Sequence, residues 1–301
     1  MKTLKKRLVK SWQLYVLVLP AVIYIALFAY KPMYGILIAF KNFSIRKGVW
    51  GSAWVGFDNF KRLFNSYWFP VIMKNTLTLS ALSLVLGFPT PIILALLLNE
   101  VKSIKFKNAV QTVSYAPHFI STVVMCGMLT LFLSPSTGVI NKIIELFGGE
   151  AIFFLQEANL FKWVYELSNV WQGVGWSSII YFAALSSVDK GLLEAAEIDG
   201  ATRMQRIWHI NLPEIVPTIV TMFILKCGQI LSIGYEKVYL LQTDANISGS
   251  EIISTYVYKV GLEQADFSFS TATGLFNTVV NCVLLITANQ LSKKVTDSGL
   301  F

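Results

Sequence analysis

The chain has 301 residues, of which 54% are hydrophobic and only 14% charged, with a net charge of +8 and a mean hydropathy of +0.58. An ordinary soluble domain carries about 25% charged residues, so this composition leaves too little polar surface to cover a soluble core and points to a membrane. The cations lie beside apolar runs, where they orient helices and meet anionic lipid, and this excludes nucleic acid as the partner.

Residues 1–11 carry five cations and no acid. The apolar run 12–30 follows, too long for a signal peptide and without a small-residue cleavage site. It is read as an uncleaved first span behind a basic cytoplasmic N-terminus. VGFDNFKRLF at 55–64 predicts a short amphipathic helix at the outer surface, capped by Asp58. Further spans are predicted at 77–98, kinked at Pro89 and Pro91, at 112–133, interrupted by Pro117, and at 163–188, 215–233 and 269–291. The basic loop 99–111, with Lys102, Lys105 and Lys107, reads as cytoplasmic. Residues 134–162 and the acidic segment 234–269 read as outside, with Ile252–Val260 apolar enough to dip back against the bundle.

Long continuous apolar runs, rather than alternation in segments of about ten residues, exclude a closed barrel. The expected class is therefore an all-α integral membrane protein of six transmembrane helices, with 12–301 as a single transmembrane domain. This topology puts 13 cations inside and 11 outside, too even a division to orient the chain. Orientation rests on the N-terminal cluster, which puts both termini in the cytoplasm.

Chemistry of its own is not visible in the chain. There is no G-x-x-x-x-G-K-[ST] phosphate loop, no H-E-x-x-H, no Cys-x-x-Cys and no G-x-S-x-G. His118 and His209 are read as interfacial or loop packing, and Cys126, Cys227 and Cys282 as small apolar residues. No catalytic residue, metal site or resident cofactor is expected.

Polar groups inside the spans are the candidates for function, because each costs free energy unless it lines a path or finds a partner. Asn169, Gln172 and Trp176 recur at i, i+3 and i+7 on one face of the fourth span. Amides and an indole suit a sugar, whose hydroxyls they bond and whose apolar face the ring covers; the alternative is hydrogen bonding between helices. Lys226 and Gln229 repeat the theme in the fifth span, Lys226 facing either an anionic sugar or an acid on another helix. Thr271, Thr273, Asn277 and Asn281 polarise one side of the sixth span, as helix packing or as a wet path.

Between spans four and five lies a polar island, residues 189–213, predicted to form two short helices meeting at Gly200. Pro213 is expected to admit the fifth span at its first turn. The island contains E-A-A-x3-G-x9-I-x-L-P, seven specified residues expected by chance on the order of once in 10⁸ positions. It resembles the EAA signature of ABC-importer permease subunits. Beyond it, stretches 19–43, 55–64, 171–185 and 251–262 resemble the maltose-transporter-type sugar permeases, in their oligo- and polysaccharide branch.

That resemblance implies a bacterial cytoplasmic (inner) membrane location and a second, related permease. It also implies ABC ATPase subunits holding ATP and Mg, an extracytoplasmic sugar-binding protein and an oligosaccharide substrate. The island would be the cytoplasmic coupling helix docked on the ATPase. Glu194 would be its polar contact, Ala195 and Ala196 its thin docking face, and Gly200 the bend, with Asp199 and Arg203 beside them.

Overall fold

A computed structural model describes residues 11–296 and 299–300. The basic cluster expected at 1–11 thus lies outside the described residues apart from Ser11. The structure is mostly helical. The described part of Met1–Asn65 with Val260–Leu275 forms one compact unit, and that of Ser66–Lys259 with Phe276–Phe301 a second.

The first unit begins with α1, Trp12–Phe40, a helical run that passes through a π turn at Ala26–Tyr30 and a 3₁₀ stretch from Lys31. It extends ten residues past the expected first span. Its side chains are exposed from Trp12 to Tyr34, as a helix facing lipid or another chain would be. A two-residue ribbon, β1 (Lys41–Asn42) against β2 (Ala53–Trp54), follows. Phe40 stacks on Trp54 and meets Phe57 edge-on.

α2 spans Asp58–Phe64. Asp58 is its first residue and not its cap; the carboxylate pairs with Lys61 at 3.1 Å and lies in the first turn, where the helix dipole favours an anion. Arg62 of α2 pairs with Asp266 at 2.9 Å, which ties the loop to the start of the last helix.

In the second unit α3 runs Trp68–Asn99, nine residues longer at its start than predicted, with a π turn at Ser83–Gly87 just before Pro89. The expected third span is instead two helices, α4 (Ile104–Phe119) and α5 (Thr122–Phe132), whose axes differ by 99°. Pro117 removes a donor and pre-sets the 3₁₀ turn that ends α4, and Ser121 caps α5 through the N–H of Val124. α6 covers Val139–Leu146. α7, Ala158–Ser186, is unbroken over 29 residues, about 44 Å. α8 is Lys190–Ile198.

α9 corrects the expected pair of helices in the island. It starts at Arg203 and runs without a break to Cys227 through a π turn at Ile207–Asn211. The wider turn absorbs the donor missing at Pro213, which therefore sits inside the helix. α9 also ends six residues before the expected 233, because side chains take up the backbone bonds beyond it. Ser80 Oγ donates to Ile230 O, and Asn281 Oδ1 accepts from Leu231 N at 3.0 Å.

α10 (Tyr235–Leu241) and α11 (Ile253–Tyr258) form the segment between α9 and the last helix, and α12 is Phe267–Thr296. Ile252 and Ile253 are buried as expected, Ile253 against Ile72 and Leu231. Glu251, read from sequence as part of an acidic surface, is buried and pairs with Lys259 at 2.6 Å.

Among the described residues α1, α3, α9 and α12 are long and apolar enough to cross a membrane, and the bent α4–α5 pair would make a fifth span. α7 has the length but carries Lys162, Glu166, Asn169 and Gln172.

The close approach of α4 to α7 needs Gly175. A Cβ there would lie 2.1 Å from Ser114 O, whereas one at Gly173 would meet nothing within 4 Å. Gly175→Leu should lower the stability of the detergent-purified chain by about 1–3 kcal/mol or more. Gly173→Ala should behave like wild type. Thermal unfolding followed by size-exclusion chromatography checks both.

Candidate functional site: a polar cavity and an exposed island

Three adjoining cavities, of about 670, 490 and 240 Å³, open between α3, α7 and α9, and Lys226 lines all three. Volumes of several hundred Å³ suit a small organic ligand or one or two sugar rings. Lys226 is exposed and makes no ion pair within 4.0 Å among the described residues. Gln229, one turn on, lines the largest and the smallest cavity with it. The expected pairing of Lys226 with an acid on another helix is therefore not made as a contact pair. The nearest candidate, Glu166 of α7, faces it across the 490 Å³ cavity.

The three residues predicted to share one face of α7 do so, and each has a partner inside the protein. Asn169 Oδ1 accepts from Lys237 Nζ at 2.7 Å. Gln172 Nε2 donates to Ile120 O at 2.9 Å, supplying the bond that the α4–α5 bend takes from that carbonyl. Trp176 stacks on His118 with centroids 4.4 Å apart and planes 2° from parallel, while Phe119 meets it edge-on. One face of the indole is thus covered, and its edge still borders the 670 Å³ cavity. Asn277 lies on α12, away from the residues that line these cavities, and its Oδ1 is buried without a partner among the described residues. Asn281 packs helices, donating to Ser232 Oγ at 2.8 Å.

Three residues of this site escaped the sequence reading. Glu166 is 1% exposed, and its Oε2 has no hydrogen-bond partner among the described residues. Gly87 makes room for it, since a Cβ there would stand 2.7 Å from Glu166 Oε1. Lys237 is buried beside Asn169 and the Tyr165 ring. Burial pulls its pKa from the usual 10.5 down to about 8, against the opposing pull of the Cys126 and Glu166 charges. An acid inside the first turn of a predicted span was the available signal for Glu166; nothing local marks Lys237.

The first half of the island, α8, is largely exposed, whereas Ile207 and Asn211 in its second half are buried. No residue of α8 is buried, and Ile198 is 86% exposed. Asp189 caps α8 by accepting from Gly191 N at 2.8 Å. Gly200 closes it at φ +77°, with Gly200 N–H bonded to Glu197 O and Ala201 N–H to Ala196 O. This is the hydrogen-bond pattern of a left-handed glycine cap. Thr202 and Gln205 then cap α9 reciprocally. Glu194, Ala195, Asp199 and Arg203 are exposed and Ala196 half-buried. Arg206, rather than Arg203, makes the ion pairs, with Glu100 at 2.9 Å and Glu197 at 3.6 Å.

Residues 87–297 match the family described as binding-protein-dependent transport system inner membrane component. The chain is 46% identical over 300 residues to the polygalacturonan/rhamnogalacturonan transport system permease protein YteP of Bacillus subtilis (strain 168), covering 100% of this chain and 94% of that one. It also superposes, with a TM-score of 0.91 and 43% identity over 98% of this chain and 99% of the other, on a chain of a bacterial alginate ABC transporter in complex with an alginate pentasaccharide-bound periplasmic protein. A second crystal structure, of a bacterial ABC transporter that imports the acidic polysaccharide alginate, matches at TM-score 0.91 and 44% identity, over 98% of this chain and 99% of that one.

The lowered pKa of Lys237 has a signed consequence. Between about 8 and 10.5 the folded chain has released this proton and the unfolded chain has not, so stability rises with pH across that window and is flat in this respect below it. Thermal melts from pH 7 to 10.5 should show the rise in wild type and lose that component in Lys237→Met.

Proposed function

This chain belongs to the family of binding-protein-dependent transport system inner membrane components, a multi-pass permease subunit of a sugar-type ABC importer, and from that premise we propose that it forms half of the translocation path for an acidic oligosaccharide. The reading is of one six-span permease domain in the cytoplasmic membrane of a bacterium, with both termini in the cytoplasm. α7 and the bent α4–α5 pair complete the count. Its partners are a second, related permease, ABC ATPase subunits that hold ATP and Mg, and an extracytoplasmic binding protein that hands over the sugar. Hydrolysis belongs to the ATPase.

The observation that carries the substrate reading is Lys226, a cation without an ion-pair partner among the described residues, facing cavities that also hold Gln229 and the edge of Trp176. An ammonium in such a setting attracts a carboxylate, and the amides exchange hydrogen bonds with hydroxyls. The alginate cargo of a relative with 44% identity is of that chemistry. Of the substrate residues predicted, Lys226, Gln229 and Trp176 are assigned contact with sugar. Asn169 and Gln172 hold the cavity wall, and Asn277 packs the last helix.

The exposed α8 is assigned to the ATPase. Its glycine cap and Asp189 cap make it rigid, and its ties to α7 and α9 let closure of the ATPase tilt both helices. Glu194 supplies the polar contact, Ala195 and Ala196 the close approach, and Asp199, Gly200 and Arg203 the turn beside it.

Two variants test the two halves of this reading in reconstituted vesicles. Lys226→Met should cut uptake of a uronate oligosaccharide about tenfold or more while sparing a neutral one of the same length, the size expected for losing one buried charge-assisted contact. Equal loss for both sugars would remove the anion assignment. Glu194→Lys should leave the chain inserted and paired with the second permease but abolish transport, read by co-purification of the ATPase and by uptake.

A further inference from the structure

We propose that Glu100 and Arg206 are positioning residues that lock the coupling helix to α3, so that a displacement of α8 is delivered to the cavity wall. The inference rests on reading α8 as the ATPase-docking helix. Glu100 is the residue just past the end of α3. Its Oε2 accepts from Arg206 Nη2 at 2.9 Å and its Oε1 from Asn211 Nδ2 at 3.0 Å. Both charged side chains are only 12% exposed, and Asn211 is fully buried. The other terminal nitrogen of Arg206 reaches Glu197, on the last turn of α8, at 3.6 Å. One guanidinium therefore joins the end of α3, the start of α9 and the end of α8.

A simple packing contact does not need these groups. Directly beside them Ile92, Ala95 and Leu96 of α3 already pack with Ile207 and Ile215 of α9, and a buried ion pair adds little net stability over well-packed apolar residues. What the charges add is direction. A planar guanidinium hydrogen-bonded to one carboxylate and ion-paired with a second resists sliding and rotation, which an apolar contact tolerates. Further along α3 its π turn, Ser83–Gly87, brings Gly87 against Glu166 at the cavity. A push on α8 thus reaches the substrate cavity through Glu100 and the body of α3, by a route separate from the covalent link through α9.

The test uses the whole transporter in vesicles, supplied with its binding protein and sugar, and measures uptake and ATP hydrolysis together. Glu100→Gln and Arg206→Lys should assemble normally and lower the sugar moved per ATP by roughly tenfold, the usual size of a coupling free energy between sites. Glu100→Asp, which keeps the charge, should retain more of the ratio than Glu100→Gln. A wild-type ratio in assembled Glu100→Gln would overturn the proposal. So would loss of assembly in all three variants with a normal ratio in whatever complex remains, since the pair would then serve folding alone. Glu194→Lys run alongside separates the two readings. If it uncouples and Glu100→Gln does not, only the lock fails; if Glu194→Lys leaves both activities intact, the docking role of α8 fails as well.

Discussion

A backbone inside hydrocarbon has no water to bond, so every irregularity in a membrane helix must find its partner within the protein. This chain is rich in irregularities: π turns at 26–30, 83–87 and 207–211, a 99° bend at 120–121, and a helix that stops at Cys227. Side chains meet several of them. Gln172 bonds the carbonyl at the bend, Ser80 the carbonyl of Ile230, Asn281 the N–H of Leu231, and Thr90 the carbonyl of Leu86 within the π turn. Leaving one such buried group unpaired costs about 1–3 kcal/mol, enough to fix where the helices break. The polar residues of the spans are first of all the partners of this broken backbone.

The same breaks open the cavity. The α4–α5 bend carries His118 onto Trp176, the π turn of α3 aims Gly87 at Glu166, and the early end of α9 leaves Lys226 and Gln229 at a rim rather than mid-helix. Straight helices would pack these positions closed. The cavity and the devices that satisfy its walls are therefore one structure, and Lys226 and Glu166 are the charged side chains left facing it. The far end of the same helices holds the exposed α8, joined to α3 and α9 by charge and to α7 by a short turn.

What could be read from sequence followed range. The joint of the island was legible because its signal is local, Gly200 between two short helical stretches, although the second of these runs on into α9. The apolar runs marked α1, α3, α9 and α12, and the face shared by Asn169, Gln172 and Trp176 was right. Its partners were not legible, because Gln172 and Ile120 lie 52 residues apart and Arg206 and Glu100 lie 106 apart. Pro117 announced an interruption but not a right-angle turn, and the close approach of α7 to α4 at Gly175 joins residues 61 apart in the chain. Pro213 looked like a start because the rule for proline assumes an ordinary α-turn, and a π turn suspends it. Asp58 looked like a cap for want of one residue of register, and Glu166 drew no reading, being one acid near the start of the predicted fourth span.

Native mass spectrometry of the tagged chain, drawn from its own membrane in mild detergent, tests the importer reading most directly. A second permease chain and ABC ATPase subunits held with it in fixed stoichiometry, releasing ATP-dependent uptake when returned to vesicles with a sugar-loaded binding protein, is the expected result. A chain that emerges alone and moves sugar into vesicles without ATP would contradict it.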